Sequence, residues 1–182
     1  MTDADEQLLR QRAAGLRILA LALITGVVMI TGVFMVMFFV ALDGKPLLQP
    51  GLAAVPVLSL IAVAVALVAL ALCMVVPART RRAAAERWAA GVPPPGNPAD
   101  SAISRLAGTY AGSVIVGFAM AEGPAILGVV FFLLEGHWLA LLPVGFGILA
   151  MIWMFPSEGG LRDWVEARLA EIPDQRSKPV HP

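Results

Sequence analysis

The chain has 182 residues, with basic and acidic side chains balanced at 13 each, and it is 59% hydrophobic and only 14% charged, with mean hydropathy +0.82. That balance excludes an ordinary soluble domain and a nucleic-acid binder held by bulk positive charge. It points instead to membrane-spanning helices, each an apolar run of about 20 residues. The single cysteine excludes an intrachain disulfide.

Residues 2–16 read TDADEQLLRQRAAGL. Thr2 three residues before Asp5 resembles a capping box, and Leu8, Leu9, Arg12, Ala13 and Leu16 follow helical spacing. The pattern predicts a short amphipathic helix lying on the membrane surface and feeding the first span. Residues 18–42 carry no charge and form that span. The run is too long for a signal-peptide core of about 7–15 residues, so it is read as a retained helix. A turn follows at residues 43–51, DGKPLLQPG. Residues 52–76 are the second span, with Ala62 and Ala66 offering a small contact face and Cys73 a small apolar filler. Residues 77–90, PARTRRAAAERWAA, bring four arginines into an alanine-rich helical stretch. The proline-rich run GVPPPGNPAD at 91–100 cannot be helical and reads as a spacer between two hairpins. Asp100 or Ser101 can cap the next helix.

The third span runs from about residue 104 to 134. Glu135, Gly136 and His137 form a tight turn, and residues 138–155 are the last span, bracketed by Trp138 and Trp153 as an aromatic belt requires. From residue 161 to 172, Leu161, Trp164, Val165, Leu169 and Ile172 share one face, the pattern of an interfacial amphipathic helix or of a helix that docks on a partner protein. The tail from 174 is expected to be disordered.

The fold expected is therefore an all-α polytopic membrane protein: four transmembrane helices as two hairpins, with short amphipathic interfacial helices at both ends. Residues 1–76 comprise the N-terminal amphipathic helix and first hairpin, and 77–103 a cytoplasmic connector rich in arginine and proline. Residues 104–156 form the second hairpin, and 157–182 the C-terminal amphipathic helix and tail. Of the 13 lysines and arginines, twelve lie before the first span, between the second and third, or after the fourth, and Lys45 alone lies on the other side. The positive-inside rule then puts both termini and the central connector in the cytoplasm, in the cell (inner) membrane.

One stretch carries chemistry. Residues 117–134, GFAMAEGPAILGVVFFLL, are apolar except for Glu122. An ionisable group inside a span is expensive and marks a functional site by default, because low dielectric disfavours its charged form. Pro124 has no N–H for the carbonyl of Met120, so a locally opened backbone lies beside it. Thr31 sits at matching depth in the first span. Glu122, Thr31 and Met120 are thus the candidate ion- or proton-binding groups. Gly108 and Gly112 in GxxxG spacing, with Ala119, Gly123 and Pro124, are the candidate helix-packing positions. Three roles suit Glu122: binding a proton or cation, an interhelical hydrogen bond in a structural or assembly protein, or contact with a lipid or ligand.

The run at 119–134, AMAEGPAILGVVFFLL, resembles the carboxylate-bearing helix of the proteolipid c subunits of rotary ATP synthases. Those helices place a glutamate or aspartate among small residues before an aliphatic run, and Glu122 matches that carboxylate. The resemblance implies an ion-binding role for Glu122. It implies no rotor membership, because residues 52–76 lack the glycine-repeat helix and an arginine- and proline-rich segment replaces the short polar loop. No enzyme constellation is visible. His137 and His181 are far apart with no second ligand type at metal spacing, Ser59, Ser104 and Ser113 have no histidine at matching depth, and there is no phosphate-binding glycine loop. The expectation is a non-enzymatic membrane subunit without cofactor or metal. Its partners would be membrane lipids and a homo-oligomer or membrane complex, with no nucleic acid.

Overall fold

A computed structural model describes residues 2–48, 56–92 and 101–170. The described residues form helices α1 (Asp3–Val36), α2 (Val57–Ala89), α3 (Ala102–Glu135), α4 (Leu142–Trp153) and α5 (Glu158–Ala170). A π-helical turn, Met37–Ala41, extends α1, and a 3-10 turn, Trp138–Leu141, leads into α4. The segments at 49–55, 93–100 and 171–182, which hold part of the first turn, the proline spacer, Ile172 and the tail, lie outside the described residues.

Three helices, α1, α2 and α3, are each long and apolar enough to cross a membrane; a fourth crossing arises only if α4 and α5, bent by 59° at their junction, count as one broken span. At 34, 33 and 34 residues, α1 to α3 are each about 50 Å long, against roughly 30 Å of bilayer hydrocarbon. The surplus falls at one end, where α1 and α3 begin and α2 finishes. The ten described arginines gather at that end or on α5, and Lys45 stands at the other.

The surplus is why the N-terminal amphipathic stretch differs from its expectation. It is not a separate surface helix but the first turns of α1, since no breaker separates Leu16 from Ile18. Thr2 and Asp5 do form a reciprocal capping box: the Thr2 N–H donates to the Asp5 carboxylate at 2.9 Å, and the Asp5 N–H to the Thr2 hydroxyl at 3.3 Å. The Thr2 backbone bond, and then its hydroxyl bond, hold the Asp5 carboxyl below the usual carboxylate range. Leu9, Ala13 and Leu16 turn inward onto Leu106, Ala107 and Tyr110 of α3. They also meet Leu161 and Val165 of α5, so the apolar face of α5 is seated on protein rather than left free. Charges seal this layer: Arg10 reaches Glu158 at 3.5 Å and Arg162 reaches Glu6 at 3.5 Å. These pairs are solvent-exposed and contribute little individually.

A middle layer joins Ala20 and Val27 of α1, Cys73 of α2, Phe118, Ala121 and Ala125 of α3, and Met151 of α4. Ala62 and Ala66 on α2 are buried. Cys73 is free and buried, its thiol donating to the Leu70 carbonyl at 3.0 Å. A third layer, at the end opposite the arginines, packs Phe38 on Phe132 with ring centroids 4.8 Å apart. There α3 ends on Gly136, whose φ of 66° is the left-handed conformation that glycine adopts without a Cβ clash. Ser101 caps the start of α3, accepting from the Ser104 N–H at 3.2 Å.

Candidate functional site

Glu122 lies 13 positions before Glu135, about 20 Å along α3 from its C-terminal end. Its side chain is half-buried. Among the described residues it makes no hydrogen bond and no ion pair. Thr31 is not its partner: the Thr31 hydroxyl donates to the Val27 carbonyl of its own helix at 2.8 Å, the local bond that a threonine inside an apolar helix finds first.

Met120 and Pro124 also part company with Glu122. One helical turn apart, they share a face, and Glu122 is about 200° around the helix from each. Both line a cavity of about 10 Å³ between α2, α3 and α4, with Ala66, Cys73, Pro143 and Gly147 among its walls. That volume holds at most one water, so the opened backbone at Pro124 is a packed seam rather than an ion chamber.

Four of the five expected packing positions look outward. Gly108, Gly112, Ala119 and Gly123 are exposed, and a Cβ added at any of the three glycines would meet nothing within 4 Å. The close approaches inside the chain are made by other glycines. A Cβ on Gly147 of α4 would come 2.7 Å from the Ala121 carbonyl oxygen and 3.0 Å from the Ala125 Cβ. A Cβ on Gly128 would collide with the Ala140 carbonyl oxygen, and one on Gly117 would lie 3.0 Å from the Met154 sulfur. The outward residues form an open stripe of small side chains along α3, and Glu122 stands on the border between that stripe and the packed face carrying Phe118, Ala125 and Val129.

A second carboxylate, read from sequence only as part of a turn, is the most heavily bonded acid in the described structure. Glu135 closes α3 and reaches the first turn of α2. Its Oε1 accepts from the Leu58 N–H at 2.7 Å, and its Oε2 accepts from the Ser59 N–H at 2.8 Å and the Ser59 hydroxyl at 2.6 Å. Pro56 precedes α2 and offers no capping side chain, so the orphan amides there are satisfied from 76 and 77 residues away. The anion also sits at the positive end of the α2 dipole. The N–H groups of Leu47 and Leu48 donate in turn to the Leu133 and Leu134 carbonyls, at 3.1 and 2.9 Å, which satisfies the last turn of α3. No spacing rule announces such a cap, because its two halves lie 77 and 76 residues apart in the chain.

His137 accepts from the Leu139 N–H at 3.3 Å and stacks beside Trp138. His181 lies outside the described residues. Among the described residues, no three His, Cys, Asp or Glu side chains gather in a metal-binding group. No family model matches the chain, and neither a curated protein nor a solved structure matches it.

Proposed function

We propose that the protein is a non-enzymatic integral membrane protein with four spans arranged as two hairpins, both termini and the central connector in the cytoplasm. In this reading Glu122 binds a proton or a cation within a homo-oligomer or a larger assembly of the inner membrane. The observation that carries it is a mid-span carboxyl group without a hydrogen-bond or ion-pair partner among the described residues, bordering an open stripe of small residues. A carboxylate in hydrocarbon needs a proton, a cation or a donor, and the described residues of its own chain supply no donor there. The small stripe lets the backbone of a neighbouring helix come close enough to wall off the group from lipid. The resemblance of residues 119–134 to the carboxylate helix of rotary proteolipids supports the same assignment.

A carbodiimide attacks protonated carboxylic acids in apolar surroundings. It should modify Glu122 in preference to the exposed Glu86 and Glu166, and sodium should slow the reaction by occupying the site. Glu122→Gln should abolish ion flux or complex activity while leaving the fold intact. A silent Gln variant together with a sodium-independent rate would overturn the reading. It would leave Glu122 as an interhelical hydrogen-bonding group in a structural or assembly protein.

A further inference from the structure

We propose that the protein holds one anionic phospholipid in a cleft between α2 and α5, with the headgroup phosphate against Arg81 and Arg82 and an acyl chain along the apolar side of the slot below. The inference is independent of Glu122. The upper chamber has a volume of about 490 Å³ and is walled by Arg81, Arg82 and Glu86 of α2 and by Trp164 and Arg168 of α5. Arg81 and Arg82 bring two guanidinium groups against the single carboxylate of Glu86 there, so α2 presents net positive charge to the chamber. Arg82 is exposed and, among the described residues, neither Arg81 nor Arg82 is in an ion pair.

Arg81 is also a wall of a second chamber of about 250 Å³ directly below. Its walls are mixed: Met74 and Pro77 of α2, Val114 of α3, and Trp153 and Phe155 near the end of α4 supply an apolar side, while Arg81, Tyr110 and Ser113 also line it, so that polar and apolar atoms share its surface about equally. Arg81 is held between the two. Its Nε donates to the Pro77 carbonyl at 3.2 Å, and its guanidinium carbon lies 5.5 Å from the centre of the Tyr110 ring. The fork is thereby fixed where the two chambers meet.

Depth identifies the occupant. Trp153, 80% exposed, and the arginines of α2 stand where the apolar length of the helices gives way to charge. This is the level of headgroups, on the side richest in arginine. A soluble anion would use the upper chamber alone, and a neutral lipid would use the lower. Only an anionic phospholipid fills both, the arrangement of a basic site between helices on the cytoplasmic side.

The test is native mass spectrometry of the full chain in a neutral detergent. Dioleoyl phosphatidylglycerol should bind one-to-one, and dioleoyl phosphatidylcholine should not form the same persistent adduct. Arg82→Gln should weaken binding about fivefold, and R81Q/R82Q further, by about fivefold for each arginine lost near the headgroup. Arg79→Gln and Arg87→Gln, on the same helix but outside the cleft, should leave it unchanged. Met74→Trp, which fills the slot and keeps every arginine, should also weaken binding. Equal losses in the cleft and control arginine variants would overturn the proposal in favour of diffuse attraction. Displacement of the lipid by millimolar inorganic phosphate, or full binding to the Met74→Trp variant, would overturn it in favour of a soluble-anion site.

Discussion

Replacing Glu135 with alanine should uncouple the first turn of α2 from the end of α3. The variant removes three hydrogen bonds to a carboxylate, at 2.6 to 2.8 Å, and strands the amides of Leu58 and Ser59 and the fully buried Ser59 hydroxyl. Bonds to charged groups contribute about 1.5–3 kcal/mol each, loss of an N-cap costs about 0.5–2 kcal/mol, and these terms overlap rather than add. Water reaches part of the site, so about 3 kcal/mol is a reasonable total. For a chain of this size that corresponds to a fall in melting temperature of about 6–12 °C. Thermal unfolding in detergent, followed by circular dichroism, measures it. Ser59→Ala removes only the hydroxyl bond and should cost about 1 kcal/mol. Glu135→Gln should fall between, since its NH₂ turns a donor toward a donor. The double variant E135A/S59A should be no less stable than E135A, because the hydroxyl has already lost its acceptor. A Glu135→Ala protein melting within about 2 °C of the parent, or one whose loss simply adds to that of Ser59→Ala, would refute this cap as the joint between α2 and α3.

Glycines separate inner from outer contacts. Gly147→Ala must push against the Ala121 backbone carbonyl and should destabilise by about 1–3 kcal/mol, whereas Gly112→Leu meets open space and should leave the monomer's melting temperature unchanged while weakening self-association. An unchanged oligomeric state in Gly112→Leu, read by light scattering, would exclude the stripe as an interface. At the N-terminus, the Asp5 side-chain carbon followed by NMR should titrate below the ordinary range. The folded value is the lower one, so the capping contribution is complete above the unfolded value and is lost as pH falls through the folded value. Thr2→Ala should return the midpoint only in part, because the Thr2 backbone bond remains. Single cysteines at Lys45 and His137 should label from outside intact cells and one at Gly96 should not; external labelling at Gly96 would reverse the topology.

The apolar, helical character of the chain was legible in the sequence because apolar runs are local signals, but helix lengths were not: the expected stretches at 2–16 and 18–42 run together in α1, and the expected span at 138–155 is a 3-10 turn followed by the 12-residue α4. The Thr2–Asp5 box and the Ser101 cap were legible too, since they need only a three-residue spacing. The packing of α3 was not. Its glycines fall on two opposite sides of a helix that is apolar all round, Gly108, Gly112 and Gly123 on one and Gly117 and Gly128 on the other, so small residues alone do not mark which face meets α2 and α4. GxxxG spacing singled out Gly108 and Gly112, which face open space, while Gly117 and Gly128 are held close to α2, α4 and the turn before it. The apolar faces of the first turns of α1 and of α5 were visible in their spacing. That they meet each other, with Leu106 and Tyr110 of α3 between them, is a tertiary contact that no single segment reveals. Glu122 announced itself as the sole charge in its span. Glu135 did not, because a carboxylate beside a turn glycine is unremarkable until its distant amides are known.

The Glu135 cap also sets an order in time. α2 is synthesised 76 residues before the carboxylate that terminates its first turn. At a translation rate of about 5–20 residues per second, its leading amides wait roughly 4–15 s, bonded to water. The first turn of α2 is therefore finished only after the whole of α3 has been made, so a chain stalled within α3 should leave that turn uncapped and α2 more open to proteases.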